Sequence, residues 1–118
     1  MVGAMTALRP TISLPLHGAV ELLLGFLALV APFALGFSPA GTAIAVLIGV
    51  CVIGLALDAT QPSRVSAHHA FDYGLAFGAV LVALPLALVG DSAAALTLGA
   101  LGLAQLSLNG ATRYSARG

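Results

Sequence analysis

The chain has 118 residues, of which 60% are hydrophobic and only eight are Asp, Glu, Lys or Arg. A soluble domain has about 25% charged residues, and a soluble domain this small exposes too much surface to accommodate so many apolar side chains. The composition therefore excludes an ordinary soluble domain, a disordered chain and a basic nucleic-acid-binding protein. It indicates a single integral membrane domain over residues 1–118.

Uncharged stretches divide the chain into four segments. Charged residues are absent from residues 22–57, 73–90 and 92–112. The first stretch is longer than the roughly 20 residues that cross the hydrocarbon core, and the turn-forming residues 36–41 divide it. The predicted helices comprise residues 16–36, 40–58, 67–89 and 92–110. Because every backbone polar group must be satisfied within the membrane, these segments predict an all-α, four-helix bundle.

Local residues mark where these helices begin, bend and end. Pro15 suits the first turn of the first helix, and Gly36 suits its C-terminal end. Asp91 or Ser92 is a suitable N-cap for the fourth helix. Pro32 and Pro85 fall at matching places, late in the first and third helices, and predict a kink in each.

The four arginines predict the orientation in the membrane. With four spans, the N-terminus, the linker between the second and third helices and the C-terminus share one side. All the arginines fall in these segments, and the two hairpin turns have none: Arg9, Arg64, Arg113 and Arg117. Because cytoplasmic segments are enriched in basic residues, we expect both termini in the cytoplasm. The alanine-rich, lysine-free composition favours a multi-pass protein of the bacterial cytoplasmic (inner) membrane.

The two halves of the chain resemble each other. A shift of 53 residues aligns eight residues of the first half with identical residues in the second half: Leu22, Gly25, Pro32, Ala34, Leu35, Ala40, Gly49 and Leu55. Residues 16–58 and 67–110 are therefore predicted to be repeated α-hairpins, related by an axis along the membrane normal.

A family resemblance is strongest over residues 25–57. It is carried by residues 25–38 (GFLALVAPFALGFS), 48–50 (IGV) and 55–57 (LAL). These resemble the SPW-repeat membrane proteins, whose repeat is a two-helix hairpin named for a Ser-Pro-Trp triplet near the end of its first helix. Only the proline of that triplet is kept here, as Pro32 and Pro85. The resemblance implies a four-helix membrane protein and carries no assigned activity.

Ionisable residues concentrate at the predicted cytoplasmic ends of the first and third helices. His17 and Glu21 are four residues apart and share a helix face, while His68 and His69 precede Asp72 by four and three residues. Imidazole and carboxylate together suit zinc or iron, and two facing histidines suit haem. The same groups suit a proton relay or a quinone head group. We favour a simpler interpretation, in which they lie at the membrane interface and the two acids stabilise helix starts. Glu21, which lies deepest, is the main candidate for an exception.

Small residues recur at four-residue spacing and predict close helix packing, within the chain or with a partner. They are Gly41, Ala45 and Gly49, Gly74 and Gly78, and Ala95 and Gly99. The single cysteine, Cys51, lies in an apolar run, where we expect it to be a buried small hydrophobe.

Three functions are compatible with the sequence. No nucleophile, phosphate-binding or dinucleotide motif is present, so we predict no catalytic residue and no enzymatic activity. The preferred interpretation is an accessory or structural subunit in the lipid bilayer, packed against a larger membrane complex or against its own copies, without cofactor, metal or nucleic acid. The second is a minimal proton-coupled or small-solute transporter that uses Glu21. The third is a haem- or metal-binding protein that uses His17 with His68 or His69.

Overall fold

The computed structural model describes residues 12–58 and 65–112, with side chains in the second range described from residue 68 onward. This part of the chain forms four helices: α1 (Leu14–Leu35), α2 (Pro39–Asp58), α3 (Val65–Leu88) and α4 (Ser92–Ala111). Each helix begins and ends within two residues of its predicted segment. All four are long and apolar enough to cross a membrane, as a multi-pass membrane protein requires.

The helix ends follow from local hydrogen bonding. The Ser13 hydroxyl accepts the Leu16 N–H at the start of α1, and Pro15 lies in the first turn. Gly36 ends α1 in the left-handed conformation with φ 69°, which favours glycine. The Pro32 carbonyl accepts the N–H groups of Gly36 and Phe37. The Pro32 carbonyl therefore takes part in ending α1. The kinks at Pro32 and Pro85 stay a prediction.

The helices form a ring in which α1 packs closely on α2, and α3 packs closely on α4. Glycines bring the backbones of each pair together. A Cβ added to Gly49 would lie 2.9 Å from the Gly25 carbonyl oxygen, and one added to Gly102 would lie 2.9 Å from the Ala76 carbonyl oxygen. The two helix pairs meet along weaker α1–α4 and α2–α3 contacts. The sequence-based expectation that the two helix pairs are repeated α-hairpins stays a prediction.

The small residues have two different environments. Gly41, Ala45, Gly49 and Ala95 are buried, and a Cβ on Gly99 would contact Ala83 at 3.6 Å. Gly74 and Gly78 are instead exposed on α3, and an added Cβ at either meets no described atom within 4 Å. These two glycines therefore do not pack against another described helix of this chain.

The bundle has two ends, which we call the turn end and the cluster end. The turn end contains residues 36–38 and 89–91, where the Ser38 amide and hydroxyl donate hydrogen bonds to Asp91 Oδ2 at 2.9 and 2.5 Å. The Ser38 hydroxyl is the main reason that the pKa of Asp91 lies below its ordinary value. Next to the turn end, Ala45, Ala94, Leu98, Phe37 and Leu86 form an apolar core.

At the cluster end, α1 and α3 begin while α2 and α4 end. The chain segments flanking α1 and α4 meet there, where the Ile12 N–H donates to the Ala111 carbonyl at 2.9 Å. Arg9, Arg64, Arg113 and Arg117 lie outside the described residues, so the predicted orientation in the membrane stays a prediction.

Candidate functional site: a buried histidine–carboxylate cluster

Two helices each supply one imidazole and one carboxylate to the interior of the cluster end. His17 and Glu21 lie one turn apart on α1, and His68 and Asp72 lie one turn apart on α3. The four-residue spacing places both members of each pair on one helix face. All four side chains are 0–2% exposed, which is rare for groups that carry charge. We call these four residues the His–acid cluster.

Each imidazole contacts both carboxylates through the same ring nitrogen. His17 Nε2 lies 2.8 Å from Asp72 Oδ2 and 3.3 Å from Glu21 Oε2. His68 Nε2 lies 3.0 Å from Asp72 Oδ2 and 3.3 Å from Glu21 Oε1. Since α1 belongs to one helix pair and α3 to the other, these contacts join the two pairs at the cluster end.

Helix α4 supports the cluster with polar residues that the sequence analysis did not assign to it. Gln105 Nε2 donates to Glu21 Oε2 at 2.5 Å and to Asn109 Oδ1 at 3.0 Å. Gln105 and Asn109 are buried, as is Thr112 just beyond the helix. Their spacing of four and three residues is that of one helix face, and this was the available sequence signal.

The hydrogen bonds at Thr112 place a proton on Nδ1 of His17. The Thr112 hydroxyl donates its one proton to the Leu108 carbonyl at 2.6 Å. Its oxygen is therefore the acceptor in the 2.8 Å hydrogen bond with His17 Nδ1, which carries the proton. In a neutral His17, the lone pair is then on Nε2, the nitrogen that faces the two carboxylates. This arrangement is typical of a metal-binding histidine, whose second ring nitrogen donates to a nearby oxygen.

Two expectations about these residues are wrong. His69 is exposed and lies against Tyr73, with the ring centroids 5.0 Å apart, so it is not part of the cluster. The helix-start role does not fit Glu21 and Asp72, which are fully buried and lie beyond the first turns of their helices. The physical reason is that α1 and α3 pack with the faces that carry these two acids turned toward the bundle interior. Their depth relative to the membrane interface stays a prediction.

Cys51 also differs from expectation, because its side chain is exposed. It lies on the outer surface of α2, where an apolar thiol faces lipid as readily as it packs in a core.

One ligand atom from each residue of the cluster lies within 4.8 Å of the other three. In a tetrahedral site with bonds of about 2.0–2.2 Å, neighbouring ligand atoms are about 3.4 Å apart. The four contacts of 2.8–3.3 Å are close to this spacing. A tetrahedral site would therefore require side-chain shifts that bring one oxygen of each acid and one nitrogen of each histidine to this spacing.

Comparison of the chain with protein-family models, curated proteins and solved structures finds no match. The resemblance to SPW-repeat proteins thus stays a prediction, and the chemistry of the cluster is the basis for the functional argument.

Proposed function

We propose that this protein is a non-catalytic membrane protein that binds one divalent transition-metal ion at His17, Glu21, His68 and Asp72. The observation that carries the proposal is the convergence of two imidazole nitrogens and two carboxylates in one fully buried place. Isolated ionised groups are very costly to bury, and ionisable residues inside a membrane bundle usually mark a functional site.

Charge balance supports a divalent ion. With both histidines neutral, Glu21 and Asp72 give the cluster two negative charges in a low-dielectric environment. One divalent cation neutralises both of them and accepts the lone pairs of the two imidazoles. It also binds Glu21 Oε1, which contacts His68 Nε2 at 3.3 Å but receives no hydrogen bond within residues 12–58 and 65–112.

The donor atoms favour a particular class of metal. Two nitrogen and two oxygen ligands suit Zn²⁺, Fe²⁺, Co²⁺ or Mn²⁺. Magnesium and calcium prefer six or more oxygen ligands, and Cu⁺ prefers sulfur. The His17 and His68 rings are 5.5 Å apart with both carboxylates packed against them, so a bare ion suits this arrangement better than a haem does.

A paired substitution tests the proposal. His68 lies in the cluster, whereas the neighbouring His69 is exposed, so His69→Ala is a matched control for His68→Ala. Metal-free protein in mild detergent is titrated with Co²⁺, whose visible absorption reports a tetrahedral site. We expect one site per chain in the wild type, an unchanged affinity in His69→Ala and an affinity at least about 100-fold weaker in His68→Ala.

A second measurement, the unfolding midpoint of the wild type with and without metal, covers the case in which His68→Ala does not fold. Metal that binds only the folded wild type stabilises it by about 2.7 kcal/mol when the free ion is at 100 times its Kd. The unfolding midpoint of the wild type should rise accordingly. A wild-type protein that binds no Co²⁺ or Zn²⁺ would contradict the proposal and favour two protons as the charges that neutralise the cluster.

A further inference from the structure

The amide group of Gln105 binds one oxygen of the Glu21 carboxylate. Gln105 Nε2 donates to Glu21 Oε2 at 2.5 Å and to Asn109 Oδ1 at 3.0 Å, so its two N–H groups have two acceptors. An ionised carboxylate only accepts hydrogen bonds, and Glu21 therefore requires the amino group of Gln105 at this position and not its carbonyl. The hydrogen bond between α4 and α1 thus has a defined donor.

The two oxygens of Glu21 have different surroundings. Oε2 accepts the Gln105 hydrogen bond and lies 3.3 Å from His17 Nε2. Oε1 lies 3.3 Å from His68 Nε2 and accepts no hydrogen bond from residues 12–58 and 65–112. A metal ion at the cluster therefore finds one Glu21 oxygen that already has a donor and one that does not.

The position of Gln105 favours retention of its hydrogen bond to Glu21. Gln105 is 5% exposed, and Glu21 is fully buried. Gln105 borders a cavity of about 20 Å³, and the other described residues that line this cavity are apolar, among them Leu24, Val52 and Leu101. Binding of a metal ion by both Glu21 oxygens would compete with Gln105 for Oε2. A buried N–H group that loses its acceptor is costly, which disfavours this mode of binding.

We propose that Gln105 is a positioning residue that restricts Glu21 to one-oxygen metal binding through Oε1 and thereby makes the site selective for Zn²⁺ over Mn²⁺. This inference rests on the proposed function and narrows the class of metal that it names. One oxygen from each acid and one nitrogen from each histidine give four ligand atoms, the number that Zn²⁺ favours. Mn²⁺ favours octahedral sites rich in oxygen, to which a two-oxygen carboxylate would contribute.

Infrared spectroscopy tests the binding mode of Glu21, because Glu21 is the only glutamate in the chain. Cell-free synthesis with glutamate that carries ¹³C at its side-chain carboxyl group separates the carboxylate stretches of Glu21 from those of the aspartates. In the zinc-loaded wild type we expect a wide separation between the antisymmetric and symmetric stretches, which is the signature of one-oxygen binding. A narrow separation, the signature of two-oxygen binding, would overturn the proposal.

The variant Gln105→Met tests the role of the amide in metal selectivity. Methionine keeps the length of the side chain, removes both N–H donors and suits the apolar residues around the cavity. Ser107→Ala removes an exposed hydroxyl from the same helix and is the control. Competition with chelators measures the affinities for Zn²⁺ and Mn²⁺. We expect the ratio of the two affinities to fall by about tenfold or more in Gln105→Met and to stay unchanged in Ser107→Ala.

The infrared signature distinguishes a positioning role from a merely structural one. In zinc-loaded Gln105→Met the separation of the Glu21 stretches should narrow, because Oε2 is then free to bind the metal ion. An unchanged separation or an unchanged affinity ratio in this variant would overturn the role of Gln105 while leaving the metal site intact. If the variant does not fold, the wild-type spectrum still decides the binding mode. Absence of stoichiometric Zn²⁺ binding in the wild type would instead overturn the proposed function.

Discussion

One hydroxyl group orients a ligand of the proposed metal site. Thr112 Oγ1 accepts a hydrogen bond from His17 Nδ1–H and donates a hydrogen bond to the Leu108 carbonyl, so both hydrogen bonds have a defined direction. The lone pair of a neutral His17 is consequently directed at Glu21 and Asp72. Thr112 contacts no other member of the cluster through these hydrogen bonds, and its effect on metal binding would therefore be transmitted through His17.

Replacement of Thr112 tests this orienting role. Thr112→Val keeps the shape of the side chain and removes the acceptor, and we expect metal affinity to fall by about 10- to 100-fold. Thr112→Ser keeps the hydroxyl and should retain most of the affinity. Competition with a chelator of known affinity measures both. Equal affinities for the valine and serine variants would show that the hydroxyl does not orient His17.

At the residue level, sequence spacing identified the four cluster residues but not their environment. The four-residue intervals of His17–Glu21 and His68–Asp72 predicted shared helix faces. Their complete burial depends on how α1 and α3 rotate toward each other, which neither helix specifies by itself. His69 differs from His68 by one position, and this rotation of about 100° places it outside. Tertiary packing therefore decided which histidine joins the cluster.

At the level of elements, close backbone contact holds α3 against α4. A Cβ at Gly102 would lie 2.7 Å from Val80 Cγ2, 2.9 Å from the Ala76 carbonyl and 3.0 Å from the Val80 amide nitrogen. Two of these neighbours are backbone atoms, which cannot change rotamer to make room. The contact therefore requires glycine, whereas the exposed Gly78 on α3 has no such neighbour.

A pair of alanine substitutions tests this contact. Gly102→Ala should lower the free energy of unfolding by about 1–3 kcal/mol, because α3 and α4 must separate. Gly78→Ala should leave it unchanged or raise it by up to about 1 kcal/mol, because alanine favours the helix. Both changes are measured by unfolding the protein in mild-detergent micelles with increasing amounts of a denaturing detergent. Equal effects of the two substitutions would contradict the close α3–α4 approach.

The turn end provides a pH-dependent contribution to stability. Asp91 accepts hydrogen bonds from the Ser38 amide and hydroxyl and from the Ala94 amide, and these favour its ionised form. The pKa of Asp91 is thereby lowered, first by the Ser38 hydroxyl. A group whose pKa is lower in the folded state stabilises the fold above its ordinary pKa, and this stabilisation is lost as the pH falls through the folded value.

The difference in stability between the wild type and Asp91→Asn should therefore be largest at neutral pH and should shrink as the pH falls below about 4. The Ser38→Ala variant should weaken this pH dependence, since it removes the main hydrogen bond. Unfolding midpoints at several pH values measure the effect, and comparison with Asp91→Asn cancels the titration of the other acids. A difference that is independent of pH would contradict the role of the Asp91 carboxylate.

At the scale of the whole molecule, two polar connections join the helix pairs at opposite ends of an apolar bundle. The Ser38–Asp91 hydrogen bonds lie at the turn end, and the His–acid cluster lies at the other end. Between them the interior consists largely of small and aliphatic side chains. A bound metal ion would strengthen one of these two connections, which makes metal binding and the association of the helix pairs interdependent.

The four spans were predictable because charge and turn residues interrupt an otherwise apolar chain at regular intervals. Hydrophobic patterning could not predict the packing faces, since lipid and protein neighbours are both apolar. Gly74 and Gly78 have the same spacing as Gly41 and Ala45, yet only the latter pair is buried. The roles of Gln105, Asn109 and Thr112 likewise depend on the rotation of α4. Because α4 also contains Thr97 and Ser107, polar residues alone do not determine which of its faces is buried.

The most direct test of the metal site is X-ray absorption spectroscopy at the zinc edge of the zinc-loaded wild-type protein. We predict four nitrogen or oxygen ligands at about 2.0–2.2 Å, with the multiple-scattering signature of two imidazoles and no sulfur ligand. A six-oxygen shell without imidazole, or a sulfur ligand from Cys51, would contradict binding at His17, Glu21, His68 and Asp72.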